Sequence, residues 1–303
     1  MIPTKFYKKI SRKFQKLFFK EQYSLLITDK KTGKTIHLAP PQDRIWADPF
    51  PVEQNDSLYV FIEQQFRGKN GTLGYIVLDP ISLFSEQDLS AQKKLSAVPP
   101  ESLPVFHTIL EKPYHLSFPH IIDENGTLYM IPESNESNKI DCLRCTSFPD
   151  SWEYECTLME NVCAVDTVIW KNDGTYYLLT NIAHTGESLN EKAYLFSSQT
   201  FPSTDWVSCT ANPVITDTGC SRNAGAIRMG NGKIYRAAQD CKKEYGAAMT
   251  IYEITAVSLQ GLSETPISRI EPPAGYWACG THTYNETERF VVTDIKTRKP
   301  RFL

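Results

Sequence analysis

Nowhere does the chain run for about 18 consecutive apolar residues, which excludes a helical membrane span. Charge of one sign is also scarce. The net charge is −3, from 32 Lys and Arg against 35 Asp and Glu, so there is no basic footprint for nucleic acid. The first residues lack an apolar core followed by a small-residue cleavage site, so no secretory leader is expected and the expected location is cytoplasmic. Of the eight cysteines, Cys142 and Cys145 form a C-x-x-C with no second pair at zinc spacing. No metal or other cofactor is expected, and the thiols are expected to be reduced. Low-complexity tracts and a second domain are missing as well.

What is present is a core-sized hydrophobic share, 41% of 303 residues, and a pattern that returns five times. The pattern is a hairpin: Asn55 to Glu63, Asn125 to Glu133, Asn172 to Asn181, Asn231 to Gln239 and Glu286 to Asp294. Asn-Gly or Asp-Gly between apolar runs is the strongest short hairpin signal, because both central residues need positive φ. Four residues after an aromatic comes a polar side chain: Glu63, Glu133, Asn181, Gln239 and Asp294. Each hairpin follows a strand with a polar residue near its start: Asp48, His120, Asp166, Asn223 and His282. Units ~45–70 residues apart fit the repeat of a propeller, whose inner strands line a central channel. A β-sandwich with many hairpins is the alternative, but it gives no reason for a polar residue at one fixed offset.

The expected fold is therefore all-β: a five-bladed β-propeller over residues 23–303, preceded by an amphipathic helix over 1–22. Lys5, Lys8, Lys9, Arg12, Lys13, Lys16 and Lys20 are basic, while Phe6, Ile10, Phe14, Leu17 and Phe18 recur at helical spacing. Such a helix suits an anionic membrane surface, or it packs on the propeller or a partner. Tyr23 to Thr28 and Lys34 to Leu38 read as two strands. They are expected to complete the fifth blade and remove its open edges. A polar insertion from Asp79 to Ser102 is expected to hold one short helix, near Glu86 to Lys94.

Asp48, Glu133 and Asp166 are the candidate catalytic carboxyls. Chemistry at a glycosidic bond needs two carboxyl groups, one of them an acid with a tuned pKa. Glu63, His120, Asn181, Arg222, Asn223, Gln239, Asp240 and His282 are candidate substrate contacts, with Asp294 as a further carboxyl. Trp46, Tyr276 and Trp277 suit stacking on sugar faces. The alternative for each is structural: an inward Asp caps backbone amides, and an inward His satisfies buried carbonyls. No Asp-x-Asp metal motif stands in the inner ring.

Ala47-Asp48-Pro49-Phe50 resembles the first inner strand of the family-43 glycoside hydrolases and of the levansucrase and invertase group. That resemblance implies Asp48 as base or nucleophile, a Glu acid matched by Glu133, and an assisting Asp matched by Asp166. A second likeness rests on Phe118-Pro119-His120, Pro132-Glu133-Ser134, Val165-Asp166, Arg222-Asn223-Ala224-Gly225, Gln239-Asp240-Cys241, Tyr245-Gly246 and Gly280-Thr281-His282-Thr283. These motifs resemble the propeller at the N-terminus of plant glucosamine inositolphosphorylceramide transferases, where a glycosyltransferase domain follows. The implied ligand is a glycan or nucleotide sugar. The implied roles are glycosyl transfer in polysaccharide or glycolipid assembly at the inner face of a membrane, glycan binding for a partner enzyme, or glycoside hydrolysis.

Overall fold

The structure, a computed structural model, describes residues 18–84, 96–275 and 277–300. The chain opens with β1 (Phe19–Asp29) and β2 (Thr35–Leu38). Blade 1 follows with β3 (Arg44–Gln54), β4 (Ser57–Phe66) and β5 (Gly71–Leu78). The short β6 (Ser96–Ala97) runs parallel to β2, and β7 (His107–Leu110) completes blade 1. Blade 2 is β8 (Ser117–Glu124), β9 (Thr127–Glu133), β10 (Lys139–Ser147) and β11 (Ser151–Glu160). Blade 3 is β12 (Ala164–Asn172), β13 (Thr175–Ile182), β14 (Ala193–Ser198) and β15 (Val207–Ser208). Blade 4 is β16 (Arg228–Gly230), β17 (Lys233–Asp240), β18 (Ala248–Ser258) and β19 (Gly261–Ile270). Blade 5 takes β20 (Ala278–Gly280), β21 (Tyr284–Glu286) and β22 (Phe290–Pro300) from the end of the chain and β1 and β2 from its start. The five-bladed propeller is thus closed as the sequence pattern requires.

The hairpin turns explain the repeat. Asn55 and Asp56, Asn125 and Gly126, Asp173 and Gly174, and Asn231 and Gly232 all have positive φ, the backbone that a two-residue turn matched to strand twist demands. The fifth turn lacks this pair and closes through Thr287 N–H donating to Phe290 O at 2.9 Å.

The closing strand is longer than expected. Phe19 to Asp29 pairs residue for residue with Pro300 to Phe290. Residues 19–22, placed by periodicity at the end of the helix, are strand, because backbone pairing with β22 outweighs the apolar spacing. The rest of the expected helix, residues 1–17, lies outside the described residues. The same is true of Glu86 to Lys94. Before that stretch the chain makes one helical turn, Pro80–Leu83, capped by Asp79.

Packed blades share apolar layers. Leu25, Ile27 and Val292 of blade 5 meet Trp46, Leu58 and Ile62 of blade 1, while Ile131 and Ile140 of blade 2 meet Ile169 and Leu178 of blade 3. Trp46 is part of that core, with its indole N–H donating to Gln64 at 3.1 Å, and offers no face to a sugar.

Candidate functional site

Three inner strands carry the same defect. Register shifts fall between Ala47 and Phe50, between Ser117 and His120, and between Val165 and Val168. At these bulges Asp48, Phe118 and Asp166 have φ of 51°, 45° and 50°. A bulge re-aims one side chain, and a non-glycine residue held at positive φ stores strain of order 1–3 kcal/mol. The residue before each bulge pairs with the polar end of the second strand: Ala47 with Glu63, Ser117 with Glu133, and Val165 with Asn181. The fixed offset seen in the sequence is this pairing. It also corrects one alignment. Phe118, not His120, is the blade 2 counterpart of Asp48 and Asp166.

Asp48 is buried, with both oxygens engaged. Oδ1 accepts from the Thr283 hydroxyl at 2.7 Å and lies 3.5 Å from His282 Nε2, and Oδ2 accepts from Phe118 N–H at 3.2 Å. Burial pushes its carboxyl up, against the pull of His282. His282 is held on the other side by Asp294, whose carboxylate contacts Nδ1 and also accepts from His282 N–H at 2.8 Å. Burial alone would lower this imidazole, but Asp294 and Asp48 outweigh it and raise its proton affinity. Two tyrosines frame the ring, Tyr23 at 4.9 Å and Tyr245 edge-on at 5.1 Å.

Asp166 is locked. Arg222 Nε donates to Oδ2 at 2.5 Å, Arg222 Nη2 to Oδ1 at 3.4 Å, and Gln239 Nε2 to Oδ2 at 3.0 Å. Arg222 is itself aimed by Asn190 at 2.9 Å and lies 4.7 Å from the Tyr245 ring. Glu133 joins from blade 2, accepting from Asp166 N–H at 3.3 Å and standing 3.7 Å from Arg222. Burial and then Asp166 push the Glu133 carboxyl well above its usual range, more than Arg222 draws it down. Side chains of Glu133 and Arg222 keep 9% and 11% of their surface exposed, so the cluster reaches solvent through them.

Glu63 is buried beside this group. Burial, followed by Asp48 and Glu133, raises its carboxyl well above normal. His115, which the sequence pattern does not single out, stands 3.4 Å from Glu63 Oε1 and is fixed by Gly71 N–H donating to its Nδ1 at 2.9 Å.

Other candidates fasten blades together. His120 Nε2 accepts from Ile169 N–H at 3.1 Å. Asn223 donates to the carbonyls of Asp166 and Leu179 at 2.8 and 3.0 Å. Asn181 donates to Ser221 at 3.3 Å. Asp240 caps Lys242 N–H at 3.0 Å and pairs with Arg269 at 2.9 Å. Tyr276 lies outside the described residues, and Trp277 lines a separate cavity. Missed in the sequence were Tyr23, Thr283, Asn190 and His115. Tyr23 reads only as a strand start, and Asn190 sits in a loop with no periodic signal.

Asp48, His282 and Asp294 each bring one ligand atom within 4.8 Å of the others, a donor set that suits a divalent cation. The imidazole lies between the two carboxylates, and His282 Nδ1 and Asp294 Oδ2 are buried with no hydrogen-bond partner among the described residues.

Fold and centre define a class, the five-bladed propeller with a carboxylate-rich axis. An exo-β-1,3-galactanase from Clostridium thermocellum shares the fold with a TM-score of 0.53 at 8% identity, over 91% of this chain and 62% of that one. A family-117 glycoside hydrolase from Zobellia galactanivorans does so at 0.51 and 11% identity, over 95% and 93%. The family of glucosamine inositolphosphorylceramide transferase 1, N-terminal, matches residues 34–273, and the chain belongs to it. Glucosamine inositolphosphorylceramide transferase 1 of Arabidopsis thaliana is 30% identical over 227 residues, which are 73% of this chain and 27% of that protein. The chain therefore spans about a quarter of the length of that relative.

Proposed function

We propose that the propeller acts on glycosidic bonds at its axis, as a glycosyltransferase in surface-polysaccharide or glycolipid assembly. Glu133 is the proton donor and Asp48 the base. The observation that carries this reading is the contrast between the carboxyls. Glu133 is partly exposed, and burial and Asp166 raise it well above its usual range, the direction a general acid requires. Asp166 is neutralised by Arg222 and held by Gln239, and serves to aim Arg222 and Glu133. Hydrolysis with three working carboxyls is the weaker reading for that reason.

The relatives' name supports a glucosamine-type sugar and an inositolphosphorylceramide-type acceptor. Donors of this kind are nucleotide sugars. The basic, aromatic pattern of residues 1–20 supports work at an anionic, cytoplasmic membrane face.

A second reading, a glycan-binding module for a separate glycosyltransferase, is favoured by Asp48, whose two oxygens are both engaged. A turnover assay with nucleotide sugars and glycolipid acceptors separates the two. Under the enzyme reading Asp48→Asn and Glu133→Gln each lower the rate by about 100-fold or more, the usual worth of an acid or base. Glycan binding by the wild type without turnover supports the module.

A further inference from the structure

A cavity of about 440 Å³ lies away from the axis, lined by Gln22, Ser24, His37, Trp277, Thr297 and Lys299 among others. Its volume is in the range of small-molecule sites. Side chains alternate along β1, so Gln22 and Ser24 face this cavity while Tyr23 faces the opposite way, onto His282. The cavity is thus separated from the central carboxyls by a strand, and its reading is independent of Asp48 and Glu133.

Its floor is polar and buried. Ser24 Oγ lies 2.8 Å from His37 Nε2, and the two residues are 2% and 9% exposed. Burial, then Lys299, lowers the proton affinity of His37, so the ring is neutral and able to exchange hydrogen bonds. Its rim is basic. Lys299 lines the cavity and stands directly opposite Lys20 across β1 and β22. Lys20 also donates to Gln42 at 2.6 Å. One wall is an aromatic face. Trp277 is 53% exposed, with φ of +60°, a conformation that costs a bulky residue energy and is found at ligand clamps.

Flat ring, buried hydroxyl and imidazole, and ammonium group are three different demands, and one ligand chemistry meets them together. We propose that this cavity is a second binding site, for a phosphorylated sugar or cyclitol. The ring lies on Trp277, its hydroxyls meet Ser24 and His37, and the phosphate meets Lys299. Such a group occurs both in a soluble nucleotide sugar and in an inositol-phosphate lipid headgroup.

Calorimetry on the full chain with glucose 1-phosphate, glucose and inorganic phosphate tests this. Glucose 1-phosphate is expected to bind at least tenfold more tightly than either fragment. Trp277→Ala and Lys299→Gln should each weaken it tenfold or more, with the melting temperature unchanged. Competition then names the source. Displacement by UDP-glucose supports the site with a soluble donor, and displacement by phosphatidylinositol vesicles supports it with a lipid headgroup. Equal binding of glucose and glucose 1-phosphate, no binding of either, or binding indifferent to both substitutions overturns the proposal.

Discussion

His120 holds blade 2 to blade 3 by a bond that only the neutral ring can make. Its Nε2 accepts from Ile169 N–H, and a second proton there would set donor against donor. Burial lowers its pKa from 6.5 to about 4. An unfolded chain therefore binds this proton more readily between those values. The contribution is fully present above pH 6.5 and is lost as pH falls through about 4. The size is about 3 kcal/mol, from roughly 1.4 kcal/mol per pKa unit. Urea denaturation at pH 7, 5.5 and 4 should show it. Wild type loses that stability on acidification, and His120→Gln, weaker at pH 7, loses less. Parallel decline of the two proteins would show that the imidazole is not neutral in the fold.

At the level of strands and turns, glycines with opposite reasons for being glycine give the next test. In the Asn125-Gly126 turn, Gly126 has φ of +82° and open space around a would-be Cβ. Gly71, at the start of β5, has a crowded site. A Cβ there would meet Leu116 O at 2.4 Å, Glu63 Oε1 at 2.6 Å and His115 Cε1 at 2.8 Å. Gly126→Ala should cost about 1–2 kcal/mol, the left-handed penalty of an L-residue. Gly71→Ala should cost more, because a backbone carbonyl cannot step aside, and overpacking of this kind costs about 1–3 kcal/mol before the displaced Glu63 and His115 are counted. Denaturation midpoints check the order, and equal midpoints would mean Gly71 is not crowded. The contrast also marks what a single sequence can disclose. Turn glycines announce themselves through Asn-Gly and Asp-Gly, so hairpins, blade count and the polar ends Glu63, Glu133, Asn181, Gln239 and Asp294 were readable. Gly71 carries no local pattern, because its neighbours come from residues 115 and 116. Asp48 and Asp166 were readable as polar residues on inner strands. The bulge that aims them was not, since Phe118 occupies the same bulge with no polar side chain to flag it. Arg222 was readable as a cation, but not as the partner whose guanidinium donates to both oxygens of Asp166.

For the whole molecule, the ring exists only when both ends of the chain meet. Eleven residues of β1 pair with β22, and Gln22 adds hydrogen bonds to the carbonyls of Pro40, Pro41 and Arg44 at 2.9–3.3 Å. Glu21 pairs with Arg298 at 2.7 Å on the same strands. A truncation through residue 22 therefore removes part of the closure as well as the basic segment, and it should lower the melting temperature. A truncation through residue 17 removes Lys5, Lys8, Lys9, Arg12, Lys13 and Lys16 while leaving β1 entire, and it should fold. This shorter truncation is the clean test of membrane attachment. Attraction between six cations and anionic headgroups is screened as salt shortens the Debye length from about 10 Å at 0.1 M to about 3 Å at 1 M. The full chain should float with phosphatidylserine vesicles at low salt and release at high salt, and the chain lacking residues 1–17 should stay in the dense fraction at both. Flotation of the truncated chain equal to that of the full chain would remove the basic segment from the account and move any membrane contact onto the propeller itself.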